Sequence, residues 1–396
     1  MKKVLYLTNY IRNNYIGNLL IRILFKDLLS FIILMIICAV LIYLLSFTCI
    51  SSLNLPHRFN NNHLTNYNWY VIGKKSDFPV DKPKQIIINE TPISIWRDKN
   101  NNFAGISDIC PHRGVSLSKG RIDKHTNCII CPYHTFKYNN KGRLAQTPGQ
   151  KSLRSNTDFN LKTDVPYYKI ANYRDWIYLY NEATFEISPL NPPSSNTIWH
   201  ESEAYDPSFR YVMLEKEFNI DARSVSENSL DILHISEVHT FGNKKRPLPI
   251  SDSIQRIDNG HVKAIYKYET SKDALAYKIY GIEELIVENE YVLPHYTVAR
   301  VKFGDFTNTI ITSALPITDT KTKLFVKAYR NNWVFNFFPL DLIFDKITEN
   351  MMETTLNEDK GVIDNIYYRH RDGNFITKYD ELVKMYREDY KTHIKP

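Results

Sequence analysis

The sequence of 396 residues is short of glycine, with 13, and none of them falls in a Gly-x-Gly-x-x-Gly arrangement. Such a loop brings backbone amides onto a pyrophosphate, so its absence leaves no visible flavin or nicotinamide domain. Cysteine is scarcer still, with 5. Cys38 and Cys49 sit in an apolar stretch, while Cys110, Cys128 and Cys131 stand close together with none after them. An odd number so distributed excludes a disulfide framework and leaves a local cluster. Positive charge is missing where a nucleic-acid protein needs it. The formal net charge is +7, but in 1–27 Lys2, Lys3, Arg12, Arg22 and Lys26 oppose Asp27 alone, so the body is near balance and no nucleic-acid partner is expected. With 43% hydrophobic and 23% charged residues, the chain is neither disordered nor collagen-like, and it is long enough for two or three domains.

The stretch Leu28–Ile50 contains no charged residue. At that length it spans ~30 Å of hydrocarbon, and a signal peptide's apolar run is shorter. The expectation is a retained transmembrane helix over 28–50, a single-pass N-terminal anchor, preceded by a basic segment over 1–27 and followed by an Asn-rich linker over 51–66. Short β-type runs then fill 67–185: Trp69–Ile72, Gln85–Ile88, Ile93–Arg97, Ala104–Ser107, Cys128–Cys131, Phe136–Tyr138 and Trp176–Tyr180. Turn residues separate them, which reads as a small all-β domain. A Pro-rich stretch at 188–193 marks a boundary. Over 186–396 longer strand-like runs appear at Tyr211–Ile220, His261–Tyr268, Tyr291–Phe303, Asn308–Ile317 and Lys323–Tyr329, with helical stretches near 221–238, 338–369 and 378–390. The fold class expected is therefore α+β, an all-β domain followed by an antiparallel sheet with covering helices.

Within the all-β domain stand Cys110-Pro111-His112-Arg113-Gly114 and Cys131-Pro132-Tyr133-His134. Each arm offers one thiolate and one imidazole. A Cys2His2 set can hold zinc, but zinc fingers usually keep cysteines and histidines in separate arms. Mixed arms suit a two-iron cluster whose cysteines take one iron and whose histidines take the other. Cys128 reads as a buried strand cysteine, and His125 as a solvated turn residue.

Further on comes Asn228-x-x-Asp231-x-x-His234-x4-His239. On a helix Asp231 and His234 share a face, so the carboxylate can orient an imidazole bound to metal. His234 and His239 are ~140° apart around a regular helix and meet at one ion only if the helix bends, widens or ends between them. Two histidines and one carboxylate make the facial set of non-haem Fe(II). For the carboxylate, Met352, Leu356, Ile363 and Ile366 form an apolar stripe with Asp359 inside it, on the buried face, where a carboxylate needs a partner. Glu358 and Asp364 fall off that stripe and read as solvated.

With Cys-Pro-His-Arg-Gly, Cys-Pro-Tyr-His-x-Phe and Gly142-Arg143-Leu144, the all-β domain resembles the Rieske [2Fe–2S] domain. Together with the second motif and Asn357-Glu358-Asp359-Lys360-Gly361-Val362-Ile363, residues ~67–370 resemble the Rieske non-haem iron oxygenases. The resemblance implies a [2Fe–2S] cluster on Cys110, His112, Cys131 and His134. It also implies a mononuclear Fe(II) on His234, His239 and Asp359, with Asp231 bridging a cluster histidine and an iron histidine and Asn228 near the iron. It implies O2 as co-substrate, electrons from a separate reductase or ferredoxin, and a homo-oligomer, a trimer in the family, in which one subunit's cluster serves a neighbour's iron. Among relatives, N-terminally anchored members of the sterol 7-desaturase and 3-ketosteroid hydroxylase-like branch point to a lipophilic, sterol-like substrate. It would be hydroxylated, desaturated or dealkylated. The pheophorbide oxygenase group carries membrane segments and a Cys-x-x-Cys at the C-terminal end, and this chain has neither there. The chemistry favours a cytosolic body, whereas the positive-inside rule sends it to the opposite side. Two other readings are a membrane-anchored Rieske electron carrier and a zinc-stabilised scaffold. Tyr277, Tyr280, Tyr291, Tyr296, Trp333, Phe335, Phe337 and Phe338 read as core more readily than as pocket lining.

Overall fold

The computed structural model describes residues 68–149, 162–183, 197–240, 245, 247–269, 284–331 and 340–393. The basic segment 1–27, the expected transmembrane helix 28–50, the linker 51–66 and the Pro-rich boundary 188–193 lie outside the described residues, as do Tyr277, Tyr280, Trp333, Phe335, Phe337 and Phe338. Among the described residues no helix is long and apolar enough to cross a membrane, which corrects the expected membrane-anchored placement. The long helix Leu340–Ile363 fails because Asp341, Asp345, Lys346, Glu349 and Glu353 break every apolar window.

The first half is built from short antiparallel strands. β1 (Trp69–Lys74), β10 (Ile170–Tyr173) and β11 (Trp176–Tyr180) form one sheet in the order β1-β11-β10. A second contains β2 (Lys84–Ile88), β3 (Thr91–Arg97), β4 (Phe103–Ser107) and β9 (Tyr167–Tyr168). A third, in the order β5-β6-β7-β8, contains β5 (Arg121–Ile122), β6 (Ile129–Ile130), β7 (Lys137–Tyr138) and β8 (Leu144–Gln146). Asp123–Asn127 turns the β5–β6 hairpin, and His125 there is exposed.

The second half is one antiparallel sheet of seven strands: β12 (Arg210–Phe218), β13 (Ser251–Asp258), β14 (His261–Glu269), β15 (Glu284–Val292), β16 (Tyr296–Phe303), β17 (Phe306–Thr318) and β18 (Lys321–Arg330). Their order is β12-β18-β17-β16-β15-β14-β13. The run expected as one strand over Tyr291–Phe303 is two strands, because the chain reverses at the cis Leu293–Pro294 bond between β15 and β16. Alternating apolar residues continue through both arms and mask the turn. The edge strand β13 is almost wholly exposed, with no apolar alternation to reveal it.

Burial explains the sequence of the central strands. In β18, Leu324 and Val326 face a core with Leu356 and Ile363 of the long helix and with Val225 of the helix Ala222–Leu230. Phe325 and Tyr329, on the opposite face, join a core with Trp69, Val71, Ile177 and Tyr178 of the first half. Alternate residues point to opposite faces, so a strand covered on both sides reads as a continuous apolar run. The two halves thus share one core. At the same contact Lys327, fully buried, donates to the Arg174 carbonyl at 2.8 Å and pairs with Glu201 at 3.2 Å. Its ammonium lies 4.3 Å from the Trp176 ring centroid.

Candidate metal centres

One loop between β4 and β5 and another between β6 and β7 carry the Cys-His arms, and their backbones repeat one another. In the first, Cys110 N–H donates to the Val115 carbonyl at 3.0 Å and Gly114 N–H to the Cys110 carbonyl at 2.8 Å. In the second, Cys131 N–H donates to the Phe136 carbonyl at 2.8 Å and Thr135 N–H to the Cys131 carbonyl at 3.1 Å. Both turns need a left-handed residue at the fourth position after cysteine: Gly114 has φ 70° and Thr135 has φ 61°. Glycine adopts this freely, whereas a β-branched residue does so under strain. Asp108, almost fully buried, braces the first loop by accepting from Ser118 N at 2.6 Å, Gln85 Nε2 at 2.6 Å and the Ser94 hydroxyl. Sequence reasoning passed over it, and its place two residues before Cys110 was the available signal.

The loops bring the side chains of both arms together. Cys110 and Cys131 are buried thiols. Burial pushes Cys131 up, and the backbone N–H groups of Tyr133 and His134 pull it back. His112 Nδ1 lies 3.1 Å from His134 Nδ1, a separation natural for two nitrogens that share one metal ion ~2 Å away. Tyr138 places its hydroxyl 3.5 Å from Cys110 Sγ. Cys128 is buried and turns to the Thr126 carbonyl. Two thiols and two imidazoles converging from two braced loops fit a [2Fe–2S] cluster.

The second centre begins on a helical strap that is broken. Asp221 caps the helix Ala222–Leu230 by accepting from Ser224 N. That helix stops at Asp231, whose ψ of 121° is extended, so Asp231 and His234 do not share a continuous helix as expected. A short helix Ile235–Val238 follows, with His234 before it and His239, at ψ 140°, after it. The end of the helix between the histidines releases His239 from its regular bearing and brings the ring centroids to 5.1 Å. Asn228 lies in the last turn of the first helix.

Asp359, on the long helix, meets both rings. Its Oδ1 is 3.4 Å from His234 Nε2 and 3.5 Å from His239 Nε2. The three side chains each offer a ligand atom, and these atoms lie within 4.8 Å of one another. Asp359 Oδ1 and His234 Nδ1 are buried without a hydrogen-bond partner. A buried carboxylate oxygen left so is costly, and a cation resolves it. Burial pulls the His234 imidazole down, but Asp231 and Asp359 outweigh it and hold it up to about 9. The site therefore favours positive charge, and its donor set fits Fe(II).

Neither acid expected on a solvated face is solvated. Glu358 accepts from His239 Nδ1 at 3.1 Å and from Thr240 N at 3.3 Å. Asp364 accepts from Asn219 N at 2.8 Å and from Asn219 Nδ2 at 2.9 Å. Each meets a segment outside its own helix, which a helical wheel does not show. Ile366 lies beyond the helix end and is exposed, so the apolar stripe stops at Ile363. Tyr291 and Tyr296 are buried in cores.

A model of the Rieske [2Fe-2S] domain matches residues 68–163, and one of the vanillate O-demethylase oxygenase C-terminal domain matches 218–391. The chain is 25% identical over 292 residues to pheophorbide a oxygenase, chloroplastic, of Oryza sativa subsp. japonica, covering 68% of this chain and 50% of that protein. It is 22% identical over 223 residues to the oxygenase component of 3-ketosteroid-9-alpha-monooxygenase of Rhodococcus rhodochrous, covering 52% and 48%. The chain thus spans about half the length of these curated relatives. The crystal structure of dicamba monooxygenase bound to dicamba shares the fold, with a TM-score of 0.66 at 17% identity, covering 83% of this chain and 97% of that one. The two family matches, in the order of the two metal motifs, place this chain in the Rieske non-haem iron oxygenases, proteins with a [2Fe–2S] cluster and a mononuclear iron.

Proposed function

We propose that this protein is a terminal oxygenase that uses O2 and electrons from a separate reductase or ferredoxin to hydroxylate, desaturate or dealkylate a lipophilic, sterol-like small molecule. The observation that carries this reading is the convergence of His234, His239 and Asp359 on one point, within 4.8 Å, in a chain that also brings two Cys-His loops together. The Rieske domain occupies 67–185 and the catalytic domain 186–396. Cys110, His112, Cys131 and His134 hold the cluster, and His234, His239 and Asp359 hold the iron. Bound there, the iron supplies open positions for O2 beside substrate. The chain's own residues do the rest. Asp231, 3.7 Å from His234 Nδ1, takes the place between this imidazole and a cluster histidine of a neighbouring copy in a homo-trimer. Asn228 stands one helical turn before it. The sterol-like class is supported by the ketosteroid monooxygenase among the relatives.

Metal and sulfide analysis of the purified chain tests the core of this reading. About three irons per chain, ~2 of them accompanied by labile sulfide, are expected. Two irons with sulfide and no third would leave an electron carrier. Incubation of the reduced protein with O2 and a panel of sterols and 3-ketosteroids, read by mass spectrometry, tests the substrate. An oxygenated or desaturated product is expected, and turnover confined to non-steroid aromatics would overturn the class.

A further inference from the structure

Glu358 has water taken from it and two donors given in return. Its side chain is 18% exposed. Oε2 lies 3.1 Å from His239 Nδ1, and Oε1 takes the Thr240 amide at 3.3 Å. A carboxylate at Nδ1 favours the tautomer with the hydrogen on that nitrogen, and the ring is turned so that Nε2 faces Asp359. Neighbouring residues on a helix point ~100° apart. His239 has left its own helix, so its ring fits between the two carboxylates and touches one with each nitrogen. The other imidazole is not tied in this way. His234 Nδ1 is 3.7 Å from Asp231 Oδ2, beyond hydrogen-bond reach.

We infer that Glu358 is the positioning residue of the mononuclear centre. It holds His239 in the tautomer and orientation that present Nε2 to a divalent cation, and its charge, next to Asp359, favours the oxidised state of a bound iron. The inference rests on the reading of His234, His239 and Asp359 as iron ligands. Groups that orient a metal-bound imidazole typically contribute roughly 10–100-fold to metal affinity.

The test uses the full chain with its cluster intact, and Fe(II) itself as the probe, by chelator competition. Glu358→Ala is expected to weaken Fe(II) binding by roughly 10–100-fold without changing the cluster's visible spectrum. In Glu358→Gln the amide oxygen still accepts from Nδ1, so affinity stays within a few-fold of the parent. The midpoint potential of the mononuclear iron rises there because a negative charge has gone, while that of the cluster does not move. Unaltered affinity in Glu358→Ala overturns the positioning role, and an unmoved potential in Glu358→Gln overturns the charge role. A parent protein that binds no iron beyond its cluster overturns the ligand reading instead, with His239→Ala as the reference for a lost site.

Discussion

The cluster loops take all their candidate ligands from two turns inside 110–134, each closed by the same pair of backbone hydrogen bonds. The mononuclear centre draws instead on a broken helical strap and on a helix far along the chain, with His239 and Glu358 separated by 119 residues. The first site is local and repeats a pattern, so its geometry is nearly written in its spacing. The second exists only once the seven-stranded sheet has docked the long helix against Phe218, Val225 and Leu324. A local site tolerates distant damage, and an assembled one reports on the whole fold.

The sharpest way to break that contrast is to empty one site and read the other. Cys131→Ser is expected to abolish the cluster's visible absorption while Fe(II) still binds near His234. His239→Ala should do the reverse, and each should lower O2-dependent turnover by more than ~100-fold. Spectroscopy and metal analysis of both variants check this, and loss of both centres in either would mean the sites are not separate. Asp231→Ala should retain both centres, because Asp231 Oδ2 stands 3.7 Å from His234 Nδ1, beyond hydrogen-bond reach. Turnover should fall by ~10–100-fold, and steady-state rates that match the parent would remove Asp231 from the path. The smallest effect concerns the strain in the second cluster loop. Thr135→Gly should raise stability by about 1 kcal/mol in denaturant unfolding, since Thr135 pays for φ 61° where Gly114 does not. A fall instead would assign Thr135 contacts worth more than its backbone cost.

The same contrast explains what the sequence discloses. Cys110, His112, Cys131 and His134 are legible as candidates because two short loops each carry a cysteine and a histidine two or three residues apart. The strands β17 and β18 are legible because both faces are covered over their middles, where apolar residues gather in Ile310–Leu315 and Leu324–Val326. The break at Asp231–Leu233 is hidden: Leu230 and Ile232 both enter the core on either side of Asp231, and no glycine or proline marks the stop. Glu358 is hidden for a different reason. A helical wheel sorts residues by the face turned to their own core, and Glu358 is claimed by the Thr240 segment arriving from elsewhere. The exposed strand β13 lacks any periodic signal, since both its faces meet water.

Lys327 and the core around it have a consequence for how such proteins diversify. The strand bearing Lys327 is roofed by Trp69, Val71 and Tyr178 from one half and floored by helices of the other. An electron-storing half grafted from another parent would have to offer Lys327 a carbonyl where Arg174 stands and a ring where Trp176 stands, or leave the ammonium with Glu201 alone.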